Sequence, residues 1–269
     1  MEHLNERTKP LSDYDFTPEI IRGLTLGALS EQYGTVGLYV RLEDTLERVG
    51  LDTNELIRAS MSLGFELHDD DWRTNGHAHD HLMRVALHII ELFKKDDPDL
   101  IAAAFLHDTL EDHAKELVLR LSGEQIQDEA DARVRGRALL EEFFNARVAK
   151  RVQGVTTPQL RPGEDKNESY ATFVEQIADD PEDEILKCAD SVENAVGNHA
   201  TKEPKQQKLD VRYAPIYPIH VRALYRPDSQ VGGKIRDNVV DILFQGQQRA
   251  AIRMARRAIN DQDDVTLAV

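Results

Sequence analysis

The sequence predicts an all-α fold, and three observations carry that prediction. Apolar residues recur at helical spacing, helix-starting residues stand ahead of the apolar runs, and no segment alternates apolar and polar residues as a half-buried strand does. The 269 residues suffice for one large domain or one domain with appended helices. By pattern they divide into an N-terminal helical extension over 1–65, a core over 66–225 and a C-terminal helix and tail over 226–269.

Taken in order, residues 1–18 are polar with two prolines and are expected to form a mobile arm. Helical pieces follow to about Leu67, including VGLYVRLEDTLERVG and DTNELIRASMSLGF, the second capped by Asp52 or Thr53 with Glu55 in its first turn. A polar, histidine-dense loop, ELHDDDWRTNGHAHDH, leads into LMRVALHIIELFKK, where Leu82, Val85, Ala86, Ile89 and Ile90 keep a helical period. Pro98 opens the next helix as a first-turn proline, and that helix is expected to run on through AAAFLHDTLEDH at 102–113. Two charged helical patterns occupy 114–152, and the loop GVTTPQLRPGEDKNE carries Gly154, Pro158, Pro162 and Gly163. SYATFVEQIADD and PEDEILKCADSVENAVGNH read as two further helices. LDVRYAPIYPIHVRALY is broken by prolines, and a last helix spans roughly 233–260 with basic residues in RMARR.

Composition narrows the function. The formal net charge is −16, from 49 acidic residues against 33 Lys and Arg. Such a surface repels nucleic acid polymers and anionic membranes, so neither is an expected partner. A small anionic substrate stays open, because a metal ion or a few local cations reverse the potential inside one cleft. No stretch reaches the apolar length needed to span a bilayer, and MEHLNERTKP lacks a signal-peptide apolar region. The single cysteine, Cys188, excludes an intramolecular disulfide framework and suits a reducing, cytoplasmic setting.

The chemistry concentrates at AAAFLHDTLEDH. On a helix turning about 100° per residue, His107, Asp108, Glu111 and Asp112 fall within an arc of about 140°. An imidazole and a carboxylate side by side can converge on one cation, and the next turn sets two carboxylates where they could orient or deprotonate water. Three carboxylates within five positions also repel one another unless something positive sits among them. The alternative is a solvated acidic helix end with a capping histidine, and the twelve residues alone do not separate the two. Two distant segments offer further ligands. In HAHDHLMRVALH, His81 heads the apolar-periodic helix and is the best candidate; His77 and His79 read as exposed loop residues and His88 as a packed or supporting histidine. In EILKCADSVENAVGN, Asp190 follows Ile185, Leu186, Cys188 and Ala189 at a core edge, with Asn194 one turn later and Lys187 one turn earlier. A lone helical Asp is ordinarily solvated; Asp190 draws attention because a fourth ligand is wanted.

His81, then His107-Asp108, then Asp190 resemble the ordered H…HD…D signature of HD-domain phosphohydrolases. The stretch AAAFLHDTLEDH is similar to the HDxxED segment of the hydrolase domain in RelA/SpoT-type alarmone enzymes, ILKCADSVENAV to its KLADRLHNM stretch, and VAKRVQGVTTP to its V.GVTK segment. HLMRVA is similar to HPLAVA, RTNG to RKSG with one residue less before His81, and RYAPIYPIHVRAL to a region holding YAPLA. The resemblance covers roughly 70–225 and resembles most a hydrolase-only, small alarmone hydrolase-like form.

The resemblance implies an HD-domain helical bundle in which His81, His107, Asp108 and Asp190 hold one divalent metal ion, manganese (Mn2+) in this family. It implies that Glu111 and Asp112 handle water activation and protons, that Arg73 packs on the nucleotide base, and that Asn194 helps hold the nucleotide. Lys187 would face a phosphate or pair at the surface with Glu184 or Glu193. Tyr213 would touch ribose or base, or sit in the core. The chain departs from the family at Thr74, in place of a lysine, and at Ser191-Val192-Glu193, where Glu193 replaces a histidine with a negative charge. The expected activity is metal-dependent hydrolysis of the 3′-pyrophosphate of (p)ppGpp to GDP or GTP and pyrophosphate. About 45 residues after position 225 leave no room for a synthetase domain of typical size. Other readings are an HD phosphohydrolase of another nucleotide (an adenine alarmone, a deoxynucleotide 5′-monophosphate or NADPH), a non-catalytic nucleotide sensor, or an antitoxin-like partner using the basic C-terminal helix. That helix is otherwise expected to pack on the core or to form a homodimer contact.

Overall fold

The structure, a computed structural model, describes residues 17–73, 76–196 and 201–267 (backbone alone at 195–196 and 260–267). The arm expected over 1–18 lies outside the described residues up to position 16, as does Thr74. Helices dominate, as the periodicity predicts. Short polar side chains start them: Thr25 accepts from the Ala28 amide ahead of α2 (Leu26–Arg48), which follows the short α1 (Pro18–Gly23). Asn54 caps α3 (Glu55–Leu67) by accepting from Ile57, rather than Asp52 or Thr53; the helix starts one residue later than the acidic pattern suggests.

The histidine-dense stretch holds the one departure from all-helix among the described residues. Trp72–Arg73 (β1) and Gly76–His77 (β2) form a two-stranded antiparallel hairpin. Two residues per strand are too few for alternation to register in a sequence. Next come α4 (Ala78–Leu87) and a π-helical turn, His88–Leu92. Pro98 opens α5 (Pro98–Leu106), with Asp97 accepting from Asp99 and Leu100. The helix does not run through to residue 113: it ends at Leu106, and α6 (Thr109–Asp112) begins after a turn at His107-Asp108.

Past that corner lie α7 (Ala114–Ser122), α8 (Glu129–Phe143) and α9 (Ala146–Val155), three helices where two patterns are legible. Then come α10 (Lys166–Ile177), α11 (Pro181–Ser191), a second π-helical turn at Val192–Val196, α12 (Lys205–Tyr213), α13 (Tyr217–Leu224) and the long α14 (Gly233–Leu267). Pro215 separates α12 from α13, and Pro218 falls in the first turn of α13, where a missing amide costs nothing. Among the described residues no helix is long and apolar enough to cross a membrane.

Everything from Leu100 to Leu106 is buried, so α5 is the hub, packed against α3, α4, α9 and α11. Its three alanines, 102–104, let those neighbours come close. The tightest approach is at Gly64 of α3, where a Cβ would stand 2.3 Å from the Phe105 carbonyl oxygen. A second tie joins distant segments: buried Arg84 of α4 donates from Nε to Glu193 Oε1 (2.6 Å) and from Nη1 to Ser30 Oγ (3.1 Å). Arg84 and His88 hold the Glu193 carboxyl down to about 2 although burial opposes it. The negative charge that replaces the family's histidine is therefore met by a buried cation.

Two outcomes follow. Gly64→Ala forces α3 off α5 two residues before the His107 corner and lowers stability by about 1–3 kcal/mol, whereas Gly27→Ala, with open space around its Cβ position, changes stability by less than about 0.5 kcal/mol; urea unfolding of both variants measures the contrast. Arg84→Met strands the buried Glu193 carboxylate and costs about 3–5 kcal/mol, while the double variant Arg84→Met/Glu193→Leu recovers most of that loss in the same measurement.

Candidate active site

Three helices deliver four side chains to one point. His81 comes from the buried face of α4, His107 and Asp108 from the corner after α5, and Asp190 from the last turn of α11. His81 Nε2 lies 3.2 Å from His107 Nε2, 3.3 Å from Asp190 Oδ1 and 3.7 Å from Asp108 Oδ2. His107 Nε2 lies 3.1 Å from Asp108 Oδ1 and 3.7 Å from Asp190 Oδ1. Ligands held at about 2.0–2.2 Å from a small divalent ion stand roughly 3 Å apart, so this donor set suits one such ion.

Ring chemistry supports the same use. His107 Nδ1 is 2.8 Å from the Ala104 carbonyl, an acceptor only, so Nδ1 carries the proton and Nε2 of the neutral ring presents a lone pair toward the cluster. His81 Nδ1 is buried without a hydrogen-bond partner, which leaves Nε2 as the polar anchor of that ring. Burial, with the Arg73 charge, pulls the His81 imidazole down to about 4, so it is neutral near pH 7. Burial also pulls on His107, but Asp108 and Asp190 outweigh it and raise that ring above its usual value. Asp108 is held low against burial by His107 and Arg73, and Asp190 by Lys187 and the two histidines. Two carboxylates and two imidazoles form a donor set that suits a divalent cation, whose binding competes with the proton that Asp108 and Asp190 favour on His107.

The acidic pair divides. Glu111 Oε2 accepts from the Thr157 amide (2.8 Å), and its own carbonyl accepts from Arg133 Nη2 (3.0 Å), so the GVTT segment after α9 pins it. Asp112 has no such tether, and burial together with Asp108 and Glu111 raises its carboxyl to about 6. Both line a cavity of about 350 Å³ that also opens onto His81, Asp108 and Asp190. That volume suits a small molecule.

The remaining expected residues all line this cavity. Arg73 Nη2 donates to Asp108 Oδ2 (2.7 Å) and Nη1 to Asn194 Oδ1 (3.1 Å), so the guanidinium lies across the four-residue cluster. Asn194 Nδ2 in turn donates to Asp190 Oδ1. Lys187 is not at the surface paired with Glu184 or Glu193: it is buried and donates to Asp190 Oδ2 (3.0 Å), because α11 buries that face against α5 and α9. Tyr213 is buried, edge-on to Tyr170 at 6.0 Å between ring centroids. The structure adds residues that sequence reasoning missed: Thr157, Tyr170, Lys205 and Arg212 also line the cavity, with the Arg212 guanidinium 4.1 Å from the Tyr170 ring centroid. The GVTT resemblance was the available signal for Thr157 and the RYAPIYPIHVRAL resemblance, which begins at Arg212, for that residue; Tyr170 and Lys205 carried none. His77 and His79 stay outside, bonded to the carbonyls of Asp69 and Phe65, and His88 approaches Glu193 at 3.8 Å.

Comparison with known proteins agrees with this geometry. No family model matches the chain. It is 30% identical over 186 residues to the guanosine-3′,5′-bis(diphosphate) 3′-pyrophosphohydrolase of Aquifex aeolicus (strain VF5). The match takes in 68% of this chain and spans 23% of the length of that relative. With a helical bundle that brings H…HD…D together and this relative matched over 68% of the chain, the chain belongs to the HD-type hydrolase family.

Proposed function

We propose that the chain hydrolyses the 3′-pyrophosphate of (p)ppGpp to GDP or GTP and pyrophosphate, using one divalent ion, manganese, held by His81, His107, Asp108 and Asp190. The observation that carries this reading is the convergence of those four side chains, from three separate helices, beside a cavity with cationic and acidic walls. The relative from Aquifex aeolicus, a guanosine-3′,5′-bis(diphosphate) 3′-pyrophosphohydrolase, suggests the substrate.

A divalent ion so held supplies Lewis acidity, bringing the pKa of a water toward about 7 and drawing charge from phosphoryl oxygens. The side chains do the rest. Asp112, untethered and raised by burial, takes the proton of the attacking water; Glu111, fixed by the Thr157 amide, positions that water. A water oxygen–phosphorus bond forms, the bond from phosphorus to the nucleoside 3′-oxygen breaks, and the departing oxygen regains a proton. Arg73, Lys187, Lys205 and Arg212 give the cavity the positive wall that a polyphosphate needs. Arg73 and Asn194, joined to each other and to ligand carboxylates, close the site on its nucleotide side. Tyr170 and Tyr213 offer aromatic surface for the base or ribose.

Purified protein incubated with manganese and (p)ppGpp should release pyrophosphate. His81→Ala and Asp190→Asn should each lose bound metal and activity together in paired elemental analysis and product assay. A panel including deoxynucleotide monophosphates, adenine alarmones and NADPH tests the substrate, since release of orthophosphate with no pyrophosphate sinks the alarmone assignment. For the base, the ionised carboxylate is the working form, so kcat/KM rises with pH as Asp112 loses its proton. That limb lies no higher than about 6, because a bound cation moves it down. Asp112→Asn abolishes the limb and lowers kcat by about 10²–10⁴-fold with metal content unchanged.

A further inference from the structure

We propose that His68, Asp71 and His113 form a second divalent-metal site, of the zinc-binding two-imidazole, one-carboxylate class, which pins the α6–α7 corner to the end of α3. The three donor atoms form a tight triangle. His68 Nδ1 lies 2.9 Å from Asp71 Oδ2 and 3.0 Å from His113 Nε2, and His113 Nε2 lies 2.7 Å from the same Asp71 oxygen. That spacing is close to the roughly 3 Å between neighbouring ligands of a small divalent ion. The site shares no residue with His81, His107, Asp108 and Asp190, so it stands whether or not the reading above does.

Its placement gives it a task. His68 ends α3, its amide bonded to the Gly64 carbonyl, and it is buried; its Nε2 has no hydrogen-bond partner, so Nδ1 is the ring's polar anchor. Asp71 stands one residue before β1, with its amide bonded to the His68 carbonyl. His113 is the junction between α6 and α7, directly after Asp112. An ion bridging them would tie the turn between α3 and β1 to the distant α6–α7 corner, and would fix the two flanks of the cavity, Arg73 on one side and Asp112 on the other. Side chains of Asp69 and Asp70 are exposed beside the triad and add to the attraction for a cation. Two imidazoles with one carboxylate and room for solvent at the Asp71 side, which is 44% exposed, is a donor set that zinc accepts with water completing it.

Trp72, the sole tryptophan of the chain, is 72% exposed and follows Asp71 directly, so it reports on this corner. Metal-free full-length protein is titrated with cobalt while Trp72 fluorescence is followed, and zinc content is measured after gel filtration. Wild type is expected to retain one more zinc ion per chain than His113→Ala or Asp71→Asn. Both variants lose the cobalt quench with affinity reduced by more than about 100-fold, and Asp108→Ala keeps it. Asp71→Asn preserves side-chain shape, and circular dichroism confirms that each variant is folded. Equal zinc content in wild type and His113→Ala overturns the proposal, and so does a quench that survives both triad variants or vanishes in Asp108→Ala alone.

Discussion

One hydrogen bond, from His107 Nδ1 to the carbonyl of Ala104, sets the rest of the site. At the end of a helix the last carbonyls lack amide partners and must find others. Here the side chains of the corner supply them: the His107 ring takes Ala104, and the Thr109 hydroxyl takes Leu106. For the ring to fold back in this way, α5 has to stop at Leu106. The break in the helix and the orientation of the ligand are thus one event. It also resolves why a chain would bunch four ionisable groups behind its most buried run. Seven consecutive buried residues fix the height of the helix in the core, and the first residue after them is held against its last turn.

Charge then decides what the cluster can hold. Asp108 and Asp190 are ionised and close to both imidazoles, and without a metal the compensation comes from Arg73, Lys187 and a proton favoured on His107. A cation entering the cluster takes over the role of that proton, since ligand binding and proton release are linked. The Arg73 guanidinium is the one compensating group that is partly exposed, at 30% of its side chain, and so the one best able to turn toward a bound anion when an ion relieves it of Asp108. Lys187, buried beside Asp190, has no such freedom and is a fixed charge in the cavity wall.

Much of this was legible in the residues. Helical period in Leu82–Ile90 and a proline at 98 marked α4 and α5, and the resemblance of His81, His107-Asp108 and Asp190 to the H…HD…D signature pointed to the cluster, which the residue types alone left open. What stayed hidden shares one cause: pairings across long stretches of chain leave no local pattern. Arg84 and Glu193 are 109 positions apart, Glu111 and Thr157 46 apart, and neither pair advertises its partner. The burial of Lys187 was misjudged for the same reason, since α11 is enclosed by helices that precede it by many turns. The corner at His107 was hidden differently. Its residues keep helical dihedral angles, so a continuous helix and a broken one look alike in sequence, and the hydrogen bonds alone separate them.

The overall charge and the local charge act over different ranges. At physiological ionic strength exposed charges are screened beyond about 8 Å, so the −16 of the whole chain governs encounters with extended polyanions, whose many phosphates sample the surface. Inside the cavity the local charges count instead: Arg73, Lys187, Lys205 and Arg212 stand there among the carboxylates. Glu193 would upset that balance if its carboxylate faced the ligand unopposed. Arg84, from α4, pairs with that carboxylate from behind the cavity wall, so the charge that stands where the family has a histidine is partnered within the fold. An acidic surface is therefore compatible with a cavity whose wall sets four cationic side chains, Arg73, Lys187, Lys205 and Arg212, among carboxylates.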